Sequence, residues 1–350
     1  MSKTTSGNFF EDFAVGQVLN HATPRTISSG DVAVYTSLYG NRFAVQSSEE
    51  FAKAIGYAHA PVDDLLVFHI VFGKTVPDIS LNAVANLGYA DCRYLQPVFP
   101  GDTLTASSEV IGLRENSNGK TGVVYVRSTG RNQNGTVVLD YVRWVMVRKR
   151  DAAAPAPQAI VPKLSDRVAP EQLGSAVPAL DAAAWDDELA GSPYRWADYT
   201  AGERIDHLDA MALEEAEHQT ATRLYQKTAR VHFDLFTQKS GQFGRRLVYG
   251  GVVISLARAL SFNGLANAFH IAAINGGRHV APCFAGDTVN TWSEVLETAE
   301  IPGRTDVGAL RLRTFATKDL PCSAWPGEKK EGGYDEGVIL DLDWWVVLPR

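Results

Sequence analysis

Four segments of this chain occur twice, in the same order and at nearly constant spacing. N-F-F-E-D-F-A-V-G-Q at 8–17 is answered by R-W-A-D-Y-T-A-G-E at 195–203, with Gly16 and Gly202 186 residues apart. T-S-L-Y-G-N-R-F-A-V-Q-S-S at 36–48 is answered, again after 186 residues, by T-R-L-Y-Q-K-T-A-R-V-H-F-D at 222–234. F-P-G-D-T-L-T-A-S-S-E-V at 99–110 returns as F-A-G-D-T-V-N-T-W-S-E-V at 284–295, where Gly101 and Gly286 are 185 apart. V-V-L-D-Y-V-R-W-V-M-V at 137–147 and V-I-L-D-L-D-W-W-V-V-L at 338–348 close the halves, with Asp140 and Asp341 201 apart. The offset grows only where residues 318–337 are inserted, so the chain is a duplicated domain. At 350 residues it is long enough for two cores and a connector.

Each half reads as an α+β unit. Residues 29–38 carry apolar positions at helical spacing behind a cap at Ser29 or Asp31. A longer helix follows. Asp63 and Asp64 precede L-L-V-F-H-I-V-F in the first half, and Gly250 and Gly251 precede V-V-I-S-L-A-R-A-L in the second. Both runs are apolar on nearly all sides, as a helix wrapped by a sheet must be. Strands are expected over 81–90, 91–98, 104–113, 121–129 and 137–148, with turns at Pro-Gly-Asp 100–102 and at Asn-Gly 118–119 and 134–135. Residues 151–193, rich in Ala and Pro, read as a linker crossing the surface, with Trp185 and Trp196 pinning its far end. The expected domains are therefore 1–150, this linker, and 194–350.

Composition excludes several classes of function. Thirty-three basic against forty acidic residues, net −7, with no Lys/Arg run, argues against a nucleic-acid partner. Arg223, Arg230, Arg245 and Arg246 leave room for a local site for a small anion. No apolar run approaches the roughly 20 residues that span a bilayer. Three cysteines at no metal-ligand spacing and an N-terminus without an apolar segment point to a reducing cytoplasm. Dinucleotide, P-loop, zinc-protease and serine-elbow motifs do not occur, so no metal and no separate cofactor is expected.

The G-D-T turns, the E-D-F-x-V-G opening and the long apolar helix resemble the MaoC-like, or hydratase 2, branch of hotdog proteins. That resemblance implies a tandem (double) hotdog, in which each long helix is wrapped by an antiparallel sheet and the paired units bind an acyl-coenzyme A thioester. More narrowly, P-V-D-D-L-L-V-F-H-I-V-F-G-K-T-V (61–76), Y-G-G-V-V-I-S-L-A-R-A (249–259) and T-A-R-V-H-F-D (228–234) look like the mesaconyl-CoA hydratases, or β-methylmalyl-CoA dehydratases. The implied activity is a hydro-lyase reversibly hydrating a branched enoyl-CoA dicarboxylate, with coenzyme A as part of the substrate.

The family motif is approximately G-D-x-N-P-hydrophobic-H, its Asp and His holding and activating water. The first half presents Gly40, Asn41, Arg42, Phe43, Ala44, Val45 and Gln46; two amides replace the acid and the histidine and exchange no protons near neutrality. The second presents Gln226, Lys227, Thr228, Ala229, Arg230, Val231 and His232, keeping the histidine alone. His232, with an ordinary pKa near 6.5, is the expected general acid or base. With Lys227 at the aspartate position, the candidate carboxylates are Asp63 and Asp64, for which capping of their helix is the other reading. Gly250 and Gly251 allow backbone N–H groups close to a ligand, as for the thioester oxygen in hotdog enzymes. Arg42, Lys227 and Arg230 are the candidate cations for a free substrate carboxylate, and Asn41 and Gln46 complete the ligand pocket of the degenerate half. His21, His59, His69, His207, His218, His270 and His279 are assigned structural roles. One functional site per chain and a homo-oligomer, dimer or higher, are expected. The alternatives are an acyl-CoA thioesterase and a non-catalytic acyl-CoA-binding subunit.

Overall fold

Tyr39 and Tyr225 are equivalent positions of the two halves, 186 residues apart, and their hydroxyls meet at 2.7 Å. His69 and Ser255, equivalent by the same offset, also touch, Nε2 to Oγ at 2.9 Å. Equivalent residues can meet only on the axis that relates the copies, so the halves pack about a pseudo-two-fold axis running between their central helices. The structure is a computed structural model and describes residues 3–350.

The strands are β1 (Val18–Thr26), β2 (Ala83–Tyr94), β3 (Thr103–Glu115), β4 (Thr121–Arg131), β5 (Val137–Arg148), β6 (Arg204–Ala212), β7 (His270–His279), β8 (Thr288–Glu300), β9 (Val307–Lys318) and β10 (Val338–Pro349). They form one antiparallel sheet in the order β1-β3-β4-β5-β2-β7-β10-β9-β8-β6. This order reads the same from either edge once each strand is replaced by its copy. The β2–β7 pair, with Cys92 opposite Ile274 and Arg93 opposite Ala273, makes the sheet continuous. Two hotdogs are thus fused edge to edge, which is the double hotdog expected from sequence.

The first half carries α1 (Ser29–Tyr39), α2 (Ala44–Ser47), α3 (Glu49–Ala54) and the central α4 (Asp64–Thr75). After α5 (Asp187–Ala190), the second carries α6 (Glu215–Leu224), α7 (Arg230–Phe233), α8 (Leu235–Gln238), the central α9 (Gly250–Leu260) and α10 (Phe262–Leu265). Every residue of α4 from Leu65 to Thr75 is buried, as are Gly251 to Leu260 of α9. The unbroken apolar runs of the sequence follow from this, because the sheet covers one side of each helix and the other copy's helix covers the opposite side.

Two local expectations need correction. The cap of α1 is Ser28: its Oγ accepts from the Asp31 N–H at 3.1 Å, and the Asp31 carboxylate accepts from the Ser28 N–H at 2.8 Å. The two strands expected over 81–98 are the single β2, because Asp91 (φ 47°) forms a bulge that bends the ladder without ending it.

Residues 151–193 do not merely cross the surface. Val168, Leu173, Val177, Trp185 and Ala190 are buried in one cluster with Val45, Phe51, Ile55, Phe269 and Trp345. Trp185 packs edge-on to Phe51 with 5.1 Å between ring centroids and lies 5.3 Å from Phe269. Trp196 is tied down by an indole N–H bond to the carbonyl of Ala309, 3.1 Å. Among the described residues no helix is long and apolar enough to cross a membrane.

Candidate active site

A cavity of about 340 Å³ opens between the halves at the N-terminal end of α9. Phe72, Tyr89 and Arg143 reach it from the first half, and Lys227, His232 and His279 from the second. Its walls include no Asp and no Glu.

The backbone delivers Lys227 and His232 in two steps. At the end of α6, Gln226 adopts φ 53°, the left-handed conformation that Gly40 (φ 62°) holds at the equivalent place. The turn is retained although the glycine is not, and it directs Lys227 inward, where only 5% of the residue is exposed. The chain then enters α7, and the returning segment clamps it: the Leu247 N–H donates to the Val231 carbonyl at 3.1 Å, and His232 Nδ1–H donates to the Leu247 carbonyl at 2.8 Å. A carbonyl can only accept, so Nδ1 carries the proton and Nε2 keeps its lone pair. Burial, reinforced by the Lys227 charge, holds His232 well below the usual histidine range, so the ring is neutral and ready to accept a proton.

The start of α9 lines the same cavity. Its cap residue Tyr249 donates its backbone N–H to His218 Nε2 at 3.0 Å, which fixes the entry angle of the helix. The N–H of Gly250, in the first turn, has no helical acceptor and is free for a ligand. A β-carbon at Gly250 would stand 2.2 Å from Cε1 of His279, so only glycine fits beside that ring. His279 is itself held neutral, its pKa lowered to about 4 by burial and by Lys227.

The sequence profile describing mesaconyl-CoA hydratases matches residues 2–329. The chain is 63% identical over 350 residues to a β-methylmalyl-CoA dehydratase of Chloroflexus aurantiacus, covering all of this chain and 99% of the relative. The chain belongs to the mesaconyl-CoA hydratase family. It is also 58% identical over 351 residues to a mesaconyl-CoA hydratase of Cereibacter sphaeroides, covering 99% of this chain and all of that protein. A solved MaoC domain dehydratase from Chloroflexus aurantiacus superposes with a TM-score of 0.98 at 62% identity, covering 100% of this chain and 99% of its own.

Against this family framework, several expected site residues lie elsewhere. Asp63 and Asp64 do not join His232. Asp63 caps α4, accepting from the Leu65 N–H at 2.9 Å and from the Asn41 amide at 2.8 Å. Asp64 accepts from the Ile271 N–H at 2.8 Å and faces His270 Nδ1 at 3.0 Å. Asn41 and Gln46 belong to this second place too, Gln46 donating to the Phe269 carbonyl at 2.7 Å. The pocket between Gln46, Asp64, Tyr94, Ala176 and His270 measures about 10 Å³, the room of a single water molecule. The linker residue Ala176 is part of its wall.

The physical reason is the duplication itself. Asp64 and Gly250 are equivalent positions, so the pseudo-two-fold axis places them at different sites. Arg42 is also outside the cavity, largely exposed, stacked over Phe262 and 3.8 Å from Asp209. Arg230 is exposed on α7 and does not line the cavity. Gly251 serves packing: a β-carbon there would meet the rings of Tyr249 and His69 at 2.4 and 2.5 Å. Of the four clustered arginines, Arg246 is buried against Glu215 and Gln219, and Arg245 stacks on Phe284 at 3.9 Å.

Sequence reasoning missed Arg143 and His279 as cavity residues. Arg143, fully buried on β5, sits opposite Tyr89 of β2, with its guanidinium 4.3 Å from the Phe72 ring centroid. The one available signal was the break in the final repeat, where Trp344 stands at the place of Arg143. His21 and His207 do serve structure, bonding Ser108 and Ser293 at 2.8 and 2.9 Å. Among the described residues no group of three or more His, Cys, Asp or Glu side chains could hold a metal ion.

Proposed function

We propose that this protein is a hydro-lyase that interconverts mesaconyl-CoA and β-methylmalyl-CoA, with His232 as the proton-transfer group at one site per chain. The observation that carries the assignment of roles is that a neutral imidazole with a free Nε2 and an unpaired helix N-terminal amide line one cavity.

The chemistry of an enoyl thioester sets the task. Water oxygen adds to the carbon β to the thioester, the electron pair of the double bond moves to the thioester oxygen, and a proton is delivered to the α carbon. His232 Nε2 takes the proton from water as its oxygen attacks, and the imidazolium returns that proton to the α carbon, so nothing is consumed but water. The Gly250 N–H, at the positive end of α9, supports the transient charge on the thioester oxygen. In reverse the same groups remove the α proton and release water.

The thioesterase reading depends on an acid at the head of the central helix. At the open cavity that place is Gly250, and the acid at the other copy's helix, Asp64, is engaged by Ile271 and His270 beside a pocket of about 10 Å³. Incubation with mesaconyl-CoA separates the readings. Loss of enoyl-thioester absorbance without free thiol supports hydration; thiol release means hydrolysis.

A further inference from the structure

Two buried cations in this cavity have no anion. Arg143 meets only neutral oxygens: Nη2 donates to Thr75 Oγ1 at 2.7 Å, Nη1 and Nη2 reach Ser80 Oγ at 3.4 Å, and Nε has no partner. The Lys227 ammonium stands 4.5 Å from the Tyr249 ring centroid and 5.5 Å from that of Phe72, and none of the described ion pairs or hydrogen bonds includes it. The amide of Asn86 on β2, in the same cavity, is buried with both its nitrogen and its oxygen unpartnered. Elsewhere the chain pairs its partly buried arginines, as in Arg127 with Asp91 and Asp140, or Arg311 with Asp343, while the buried Arg258 outside this cavity donates to the Ala268 carbonyl. A buried charge left with aromatic faces and hydroxyls is stabilised far less than one facing a carboxylate, and two of them repel each other.

We propose that Arg143 and Lys227 form the receptor for the free carboxylate of the substrate. The inference rests on the hydration reading above and supplies its specificity. Arginine offers a planar fork to two carboxylate oxygens and lysine a point charge, while Asn86 adds a neutral donor. The two cations come from different halves, Arg143 from β5 and Lys227 from the segment before α7, so the receptor exists only in the fused pair. With the carboxylate held there and the thioester oxygen at Gly250, the double bond is stretched between two fixed ends beside His232. One carboxylate against two cations leaves the occupied site with a net positive charge, which favours the negative charge that develops on the thioester. The lysine at the family motif's aspartate position thus acts in recognition, and the missing acid leaves no like charge to oppose the substrate.

The test compares kcat/KM for mesaconyl-CoA with that for 2-methylbut-2-enoyl-CoA, in which a methyl group replaces the carboxylate, in the wild type, Lys227→Met and Arg143→Lys. The wild type should prefer the charged thioester by about 10²-fold or more, because an uncharged analogue leaves buried polar groups unpaired. Each substitution should lower that preference by about 10-fold or more, mainly through the KM of the charged substrate. Arg143→Lys keeps the charge and loses the fork, and a melting curve shows whether it folds. A readout free of turnover is the binding of the unreactive methylsuccinyl-CoA against 2-methylbutyryl-CoA to Lys227→Met, which should show the same loss of preference. A folded variant with unchanged preference in both assays overturns the receptor while hydration stands. A wild type that hydrates neither thioester overturns the hydration reading and the receptor with it.

Discussion

The Nδ1 of His232 lies 2.8 Å from the carbonyl oxygen of Leu247, and this bond decides which nitrogen faces the substrate. Because Leu247 is also the donor to Val231, the ring and the helix that bears it are held by one short segment. Burial, with the cation Lys227 beside it, keeps the imidazole neutral. A base that stays unprotonated below neutral pH and a cation that completes the binding of an anion are complementary uses of the same motif.

Gly250→Ala should cut kcat severely, by about 10²-fold, because the added methyl would occupy the place of His279 Cε1 and displace either the ring or the helix end. Combining it with His279→Ala should recover part of the loss by restoring space. Steady-state kinetics of the two single variants and the double variant check this. Equal losses in Gly250→Ala and the double variant would show that the collision is not the cause.

The alkaline side of the pH profile should report Lys227. Burial, with Arg143 nearby, pulls its ammonium down to about 7. The groups facing it are Arg143 from β5, His69 from α4, His218 from α6, His232 from α7, His279 from β7 and Tyr249. Burial lowers all four histidines, His69 to about 3 and His218 and His279 to about 4, and keeps the Tyr249 phenol protonated, so none of them titrates near 7. As Lys227 loses its proton, kcat/KM for mesaconyl-CoA should fall above about pH 7. The fall in kcat should come at higher pH, since the bound carboxylate stabilises the ammonium. A profile of kcat/KM flat from pH 6 to 9 would be inconsistent with a charged Lys227 in binding.

Asp63→Asn should keep most of the activity, since Asp63 caps α4 beside the closed pocket. Burial and the neighbouring Asp64 push its carboxyl up to about 6, above its ordinary unfolded value. The fold therefore favours the protonated form, and that stabilisation is present at low pH and lost as pH rises through about 6. The variant should be at least as stable as the wild type at pH 8, with its relative advantage shrinking toward pH 4. Thermal melts at the two pH values decide it.

Trp185→Ala should destabilise the chain by about 3–5 kcal/mol, because the residue is only 5% exposed and its indole packs between Phe51 and Phe269. A melting temperature within error of the wild type would contradict the packing role assigned to residues 151–193.

Much of this architecture was legible because duplication leaves periodic marks. The repeated segments marked out the two halves of the sheet, and the apolar runs behind Asp63–Asp64 and Gly250–Gly251 located both central helices. The site was less legible, for a geometric reason. Residues that are neighbours in a repeat alignment, such as Asp64 and Gly250, are separated by the symmetry axis, whereas Arg143 and Lys227, which share the Phe72 ring, are far apart in sequence. The linker misled because alanine and proline dominate its composition, while Val168, Leu173, Val177 and Trp185 do its packing. Arg143 was hidden within a largely apolar strand, where a charged residue reads as outward-facing.

The most direct measurement is the hydration rate of His232→Ala, made alongside its affinity for methylsuccinyl-CoA. Loss of the proposed proton-transfer group should lower kcat by about 10³-fold or more, with affinity for the unreactive thioester little changed. A variant that keeps about a tenth or more of the wild-type rate would contradict the assignment of His232 as that group.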